Sequence, residues 1–179
     1  GWIKKGQKAI DLGSGTGSVA LNLTSRGLEV TALDRAPEML AVAEKRAKER
    51  NLDLSFRVGV AENTGQEDRS LDLVVAGQCW WWFETQGALD EIQRILIPNG
   101  RLSICSFNYL PVPGSAAAAC EEIILKHNPG WSAAGNTGIS AEQVWQLTCN
   151  GFKDIQSYSY DQDVCFTQED WRGRLRACN

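Results

Sequence analysis

The chain is poor in the residues that build metal sites and membrane spans. It has one histidine, one methionine and six cysteines that form no CxxC pair. A zinc site with histidine ligands is therefore improbable, and we expect no metal. Long apolar runs and signal-peptide patterns are also lacking, which predicts no membrane insertion and no export. We expect a cytoplasmic protein with reduced thiols.

The composition argues against a nucleic-acid partner. The 179 residues carry a formal net charge of −4, with 43% hydrophobic and 22% charged residues. These values are typical of a globular protein and give no overall attraction to polyanions. The length predicts one domain. We therefore expect no nucleic-acid partner, and the composition leaves the oligomeric state open.

Two short runs carry the strongest functional signal. Ala9–Leu12 is typical of a buried strand and leads into glycines at positions 13, 15 and 17, whereas Val30–Leu33 leads into Asp34. Glycines let the backbone approach a ligand closely, and the following helix offers free N–H groups. A carboxylate at the end of the next strand can accept both hydroxyls of a ribose. The pair predicts a cofactor that contains a nucleoside.

Spacing indicates which nucleoside cofactor fits. The glycines follow a G-x-G-x-G pattern, and Ser18 stands where a dinucleotide fingerprint needs its third glycine. Asp11, inside the strand, would repel a pyrophosphate but could help receive a cationic amine, directly or through water. S-adenosylmethionine has such an amine beside its adenosine. An NAD-dependent oxidoreductase remains a second hypothesis, and a non-catalytic cofactor-binding relative a third.

Short apolar runs alternate with helical patterns, which predicts a parallel α/β sheet. We expect strands over Lys8–Leu12, Glu29–Leu33, Leu54–Gly59, Leu71–Ala76, Arg101–Phe107 and Phe152–Tyr158. We expect helices from Gly17, over Pro37–Arg50 and Gln86–Leu96, from the Ser115 cap to His127, and over Ala141–Cys149 and Gln168–Cys178. Pro98-Asn99-Gly100 predicts a turn into the fifth strand.

Five motifs in this order resemble those of class I S-adenosylmethionine-dependent methyltransferases, in the type 11, ubiquinone-biosynthesis-like group. They are DLGSGTG, LDRAPEML, GVAENTG, SLDLVVAGQCWWWF and EIQRILIPNGRL, and the resemblance covers roughly residues 7 to 107. It implies a Rossmann-like, doubly wound, mostly parallel sheet with strand order 3-2-1-4-5-7-6. The seventh strand has no clear candidate. We expect one domain over residues 1–179 that lacks N-terminal helices and the C-terminal strand, as a fragment of a longer chain.

The resemblance implies a set of cofactor contacts. Asp34 would bind the ribose hydroxyls, although it could instead only cap the Pro37 helix. The full set is Asp11, Gly13, Ser14, Gly15, Gly17, Asp34, Arg35, Met39, Ala61, Glu62 and Gln78. Val60 stands where the family often has an aspartate that contacts adenine, so Glu62 or a backbone carbonyl would have to replace that contact.

The expected reaction is direct in-line displacement of the methyl group onto a small-molecule acceptor. Such a reaction depends on positioning more than on acid–base groups. The substrate-side candidates are Trp80, Trp81, Trp82, Asn108 and Trp131. The three adjacent tryptophans could line the pocket or pack beneath an N-terminal helix. His127 is a candidate general base, or simply a residue favoured at a helix C-terminus.

Overall fold

Five strands form one parallel sheet in the computed structural model, which describes residues 3–176. They are β1 (Lys8–Leu12), β2 (Glu29–Asp34), β3 (Ser55–Val58), β4 (Leu71–Gly77) and β5 (Leu96–Cys105). The spatial order is β3-β2-β1-β4-β5, and all four pairings are parallel. The predicted α/β class and the 3-2-1-4-5 order are confirmed.

The described part of the chain forms two compact units, one ending at Tyr109 and the other beginning at Leu110. The first unit contains the sheet, α1 (Ser18–Ser25), α2 (Pro37–Glu49), a 3-10 helix (Trp80–Trp82) and α3 (Thr85–Ile95). The second contains α4 (Ala116–His127), α5 (Ala141–Cys149) and α6 (Gln168–Arg176). The end of the last predicted helix, including Cys178, lies outside the described residues. One domain over residues 1–179 stays a prediction.

Local sequence explains where the helices begin. Pro37 occupies the first turn of α2, where its missing N–H costs nothing. The Ser115 side chain accepts a hydrogen bond from the Ala118 amide (3.0 Å), as predicted for the start of α4. Glu84 does the same for α3, accepting from the Gln86 and Gly87 amides.

The sheet's central strands are buried because helices cover them. β1 and β4 are almost wholly buried, as is usual for parallel strands. One core cluster joins strand residues to residues of α1 and α2: Ala9, Val30, Ala32, Leu73 and Val75 with Ala20, Leu23 and Leu40. This packing fixes the start of α1 and α2 at the carboxyl edge of the sheet.

The structure corrects two predictions about strands. The strand over Phe152–Tyr158 is wrong, since residues 106–176 contain no strand. Asp154 adopts a φ of 54°, which interrupts an extended run, and Tyr158 is exposed. The predicted turn at Pro98–Gly100 is also wrong, because these residues lie inside β5, where the pairing with β4 shifts register between Leu71 and Leu73. A seventh strand is likewise not formed between residues 3 and 176.

Among the helices of residues 3–176, none has the length and apolar character required to cross a membrane. That same stretch contains no grouping of three or more His, Cys, Asp or Glu side chains that could hold a metal ion.

Candidate cofactor site

The glycine turn between β1 and α1 is fastened to the end of β2. Gly13, Gly15 and Gly17 all have left-handed φ values, of 61°, 54° and 83°. The Ser14 amide donates to the Leu33 carbonyl (2.9 Å), and the Gly15 amide donates to Asp34 Oδ2 (2.7 Å). The two runs that the sequence singled out are therefore in direct contact.

The glycines differ in what surrounds them. A Cβ added at Gly13 would lie 2.8 Å from Cys79 Cβ, and one at Gly17 would lie 3.0 Å from Ala43 Cβ. At Gly15 the nearest atom is the Met39 terminal methyl carbon, 3.9 Å away. Gly13 and Gly17 thus serve close packing, whereas Gly15 leaves the turn open beneath Met39. A ligand can approach the backbone there.

Asp34 is buried, with 8% of its surface exposed, and both carboxylate oxygens are partly occupied. Oδ2 accepts from the Gly15 amide, and Oδ1 accepts from the Ala36 amide (2.9 Å). The cap position of α2 is Ala36, so Asp34 does not cap that helix in the usual way. Each carboxylate oxygen can accept a second hydrogen bond. Asp34 therefore retains the capacity to accept further hydrogen bonds.

Asp11 is a buried carboxyl group directed at the first turn of α1. Its Oδ2 accepts a hydrogen bond from the Ala20 amide (3.0 Å), and only 1% of the residue is exposed. The pKa of Asp11 is raised from its ordinary 3.8 to about 7, chiefly by burial; Ser14 and the Ala20 amide partly offset this, and the charge of Asp34 adds a smaller increase. A cation bound nearby would favour the ionised form.

Among the side chains of residues 3–176, the Ser14 hydroxyl oxygen is the buried nitrogen or oxygen atom without a hydrogen-bond partner. It lowers the pKa of Asp11 although the two groups do not reach hydrogen-bond geometry. Buried hydroxyls are nearly always paired. An unpaired one beside an open glycine turn fits a ligand that supplies a polar atom, and so it fits a nucleoside cofactor with an amino-acid end.

The remaining predicted cofactor residues occupy the same edge of the sheet with different surroundings. Arg35 and Met39 are exposed, and Ala61 is buried. Glu62 Oε1 accepts from the Glu84 amide (2.7 Å), so this carboxylate is engaged with the start of α3. Gln78 follows β4 with a φ of 59° and donates to the Phe107 carbonyl (2.5 Å). Their cofactor roles stay predictions.

The three tryptophans do not share one environment. Trp80 is 5% exposed and packs edge-to-face against Phe83, with ring centroids 5.9 Å apart. Trp81 and Trp82 are 55% and 76% exposed. Only the last two present a ring to solvent after β4.

The other substrate-side candidates are divided between the two units. Asn108 lies in the first, where its amide contacts Ser106 Oγ at 3.4 Å. Trp131 and His127 belong to the second unit, with His127 as the last residue of α4. Their predicted roles remain untested.

Cys79 and Glu91 support this edge of the sheet, and the contacts of Glu91 were not predicted. Cys79 donates to the Leu12 carbonyl (3.0 Å), and burial raises the pKa of its thiol to about 12, so it is an inert packing group behind Gly13. Glu91 is buried on α3 and bonds Thr64 and Arg94. Glu91 falls between apolar residues of α3, a position where a carboxylate needs a partner. That position is the signal that sequence reasoning missed.

A parallel sheet of this order, with a glycine turn after β1 and an acidic residue ending β2, defines a Rossmann-like fold that binds nucleoside cofactors. Residues 10–104, more than half of the chain, match the model of the methyltransferase domain family. The chain therefore belongs to the methyltransferase domain family, in its class I, type 11 group.

Individual relatives agree with this assignment. An uncharacterized methyltransferase of Mycobacterium bovis is 39% identical over 98 residues, covering 55% of this chain and 39% of that protein. The demethylmenaquinone methyltransferase of Thermus thermophilus is 36% identical over 107 residues, covering 58% and 49%. The chain thus spans less than half the length of these curated relatives.

A solved structure resembles more of the chain. It is a Methanococcus maripaludis protein assigned to the S-adenosyl-L-methionine-dependent methyltransferases, with a TM-score of 0.62 and 25% identity. The match covers 82% of this chain and 68% of that one.

Proposed function

We propose that the protein transfers a methyl group from S-adenosylmethionine to a small-molecule acceptor by direct in-line displacement. The observation that carries this proposal is the junction of Gly15 and Asp34, where an open glycine turn lies against a carboxylate with acceptor capacity left. The family membership and the cofactor named for the Methanococcus relative support it.

Different residues of the chain would bind different parts of the cofactor. The cofactor supplies a methyl group that its positive sulfur already activates. Asp34 accepts the ribose hydroxyls, and the turn at Gly15 lets the backbone approach the ligand. Asp11 stabilises the ammonium of the amino-acid end, directly or through a water molecule, and the Ser14 hydroxyl gains the partner it lacks in this structure.

The acceptor side is proposed to hold a small molecule at the exposed rings of Trp81 and Trp82. A cation–π interaction between an aromatic ring face and the sulfonium of the cofactor would also contribute about 0.5–2 kcal/mol. Correct positioning of acceptor and donor can contribute roughly 7–11 kcal/mol, so no general base is obligatory. The printed name of the Thermus relative, a demethylmenaquinone methyltransferase, supports a small-molecule acceptor of this kind.

Calorimetric titration tests the cofactor assignment. We expect the protein to bind S-adenosylmethionine and S-adenosylhomocysteine, and not NAD. Asp34→Ala should weaken binding by at least about 100-fold, since it removes two hydrogen bonds to a charged group. The matched control is Asp72→Ala. Asp72 also accepts a backbone amide, that of Lys8 (2.8 Å), but at the opposite edge of the sheet.

The control should bind like the wild type. Equal affinity of the Asp34→Ala and Asp72→Ala proteins would refute the ribose role of Asp34. Binding of NAD in place of S-adenosylmethionine would refute the proposed function. Transfer of a labelled methyl group to members of a metabolite library would then identify the acceptor.

A further inference from the structure

The loop after β3, residues 59–68, is tied to the proposed ribose site at its beginning. The Gly59 amide donates to the Asp34 carbonyl (3.0 Å). A Cβ at Gly59 would lie 3.1 Å from Leu33 Cδ1, so the loop starts in close contact with the end of β2. The Asn63 amide then donates to the Val60 carbonyl (3.2 Å) and closes a tight turn around Ala61 and Glu62.

The middle of this loop is held by a buried carboxylate on α3. Glu91 Oε1 accepts from the Thr64 amide (2.8 Å) and from the Thr64 hydroxyl (2.6 Å). The same hydroxyl accepts from the Gln66 amide (3.2 Å). Glu91 is 8% exposed, so these hydrogen bonds are sheltered from water. The loop is therefore clamped between the end of β2 and α3.

Arg94 also binds this loop, and its positive charge compensates the negative charge of Glu91. Its Nε donates to Glu91 Oε2 (2.7 Å) and its Nη2 to Glu91 Oε1 (2.8 Å), a bidentate pair. Nη2 also donates to the Gln66 carbonyl (2.9 Å), and Nη1 pairs with Asp68. One arginine thus holds both the carboxylate and the loop that the carboxylate binds.

We propose that Glu91, Thr64 and Arg94 are positioning residues that hold residues 60–62 at the adenosine end of the proposed cofactor site. The inference rests on the proposed function. Val60 offers no polar side chain to the base, and Glu62 is bonded to the start of α3. Recognition at this end then depends on the loop's backbone and shape, and these depend on the clamp. The three residues act through the loop and touch no ligand.

The test compares Thr64→Val, which removes the hydroxyl with little change in shape, with Thr64→Ser, which keeps it. Ile95→Val, a core change on the same helix, controls for a general loss of stability because Ile95 is fully buried. Affinity is measured by calorimetry for S-adenosylhomocysteine and for 5′-methylthioadenosine, which has the adenosine but no amino-acid end. Hydrogen exchange of residues 60–64 is followed in the same proteins.

We expect Thr64→Val to weaken both ligands by the same factor, about tenfold, the effect of losing one buried hydrogen bond. Exchange of the loop amides should accelerate, while Thr64→Ser and Ile95→Val should bind like the wild type. Wild-type affinity in Thr64→Val, or equal weakening in Ile95→Val, would overturn the inference. If Thr64→Val does not fold, Arg94→Lys replaces it with the same expectations. Failure of the wild type to bind either ligand would instead overturn the proposed function.

Discussion

Replacing Asp11 with asparagine should make the protein more stable at alkaline pH. Asp11 is almost fully buried, and its pKa rises from the ordinary 3.8 to about 7, chiefly because burial disfavours the charged form. Asparagine has the same shape and can still accept the Ala20 amide. The substitution therefore removes the ionisation and leaves the contacts in place.

The magnitude follows from the difference between folded and unfolded pKa. Because the pKa of Asp11 is higher in the folded than in the unfolded protein, protonation of Asp11 favours folding. This contribution to stability is complete below about pH 3.8 and is lost as the pH rises through 7. About two pKa units lie between pH 5 and the folded value, and each unit is worth about 1.4 kcal/mol. Wild-type stability should thus fall by about 3 kcal/mol between pH 5 and pH 8 through this group alone.

Urea unfolding at pH 5, 6.5 and 8 measures the effect. The free-energy difference between Asp11→Asn and the wild type should grow in favour of the variant by about 3 kcal/mol across that range. Other titrating groups cancel in this difference, since they are common to both proteins. A difference that stays constant with pH would refute the assignment of a raised pKa to Asp11.

Three further predictions concern stability. Gly13→Ala should lower the free energy of unfolding by about 2–4 kcal/mol, because its Cβ would meet another Cβ at 2.8 Å at a positive φ. Gly6→Ala, at a positive φ in open space, should cost only about 1–2 kcal/mol, and equal losses in chemical denaturation would contradict the packing argument. Trp80→Ala should lower the free energy of unfolding by about 3–5 kcal/mol, and Trp82→Ala by less than about 0.5 kcal/mol. Thermal unfolding compares the two variants, and the reverse order of stability would contradict the burial of Trp80 and the exposure of Trp82. Arg94 and Thr64 lower the pKa of Glu91 from its ordinary 4.5 to about 2. The ionised carboxylate therefore stabilises the folded protein above about pH 4.5, and about 2–3 kcal/mol of this stability should be lost as the pH falls toward 2. In acid titrations followed by circular dichroism Glu91→Gln should lack this loss, and a variant that retains it would argue against the ion pair.

Local patterns were sufficient to predict the sheet and the glycine turn. Lys8–Leu12 contains three apolar residues around Asp11 and leads directly into glycines, and Pro37 and Ser115 are residues that helix starts favour. The structure has β1 at the predicted residues and the helices α2 and α4 where these residues begin them. These features depend on neighbours in the chain, so the sequence contains most of what determines them.

Features that depend on distant partners could not be predicted in this way. The segment Phe152–Tyr158 is predicted to form a strand, but a strand forms only where another strand offers hydrogen bonds. Trp80 and Trp82 belong to one run of three tryptophans, and the run itself does not indicate that the 3-10 helix buries Trp80 and exposes Trp82. The Glu91 clamp joins Thr64 to a helix residue 27 positions later, which no local period reveals.

The proposed site for a nucleoside-bearing methyl donor is the junction of the glycine turn and Asp34. Titration of the isotopically labelled protein with S-adenosylhomocysteine, followed through backbone amide resonances, tests both the binding and its place. We expect the largest shifts on residues 13–17 and on Asp34 and Arg35. Saturating ligand without shifts at those residues, or with its largest shifts elsewhere in the chain, would contradict it.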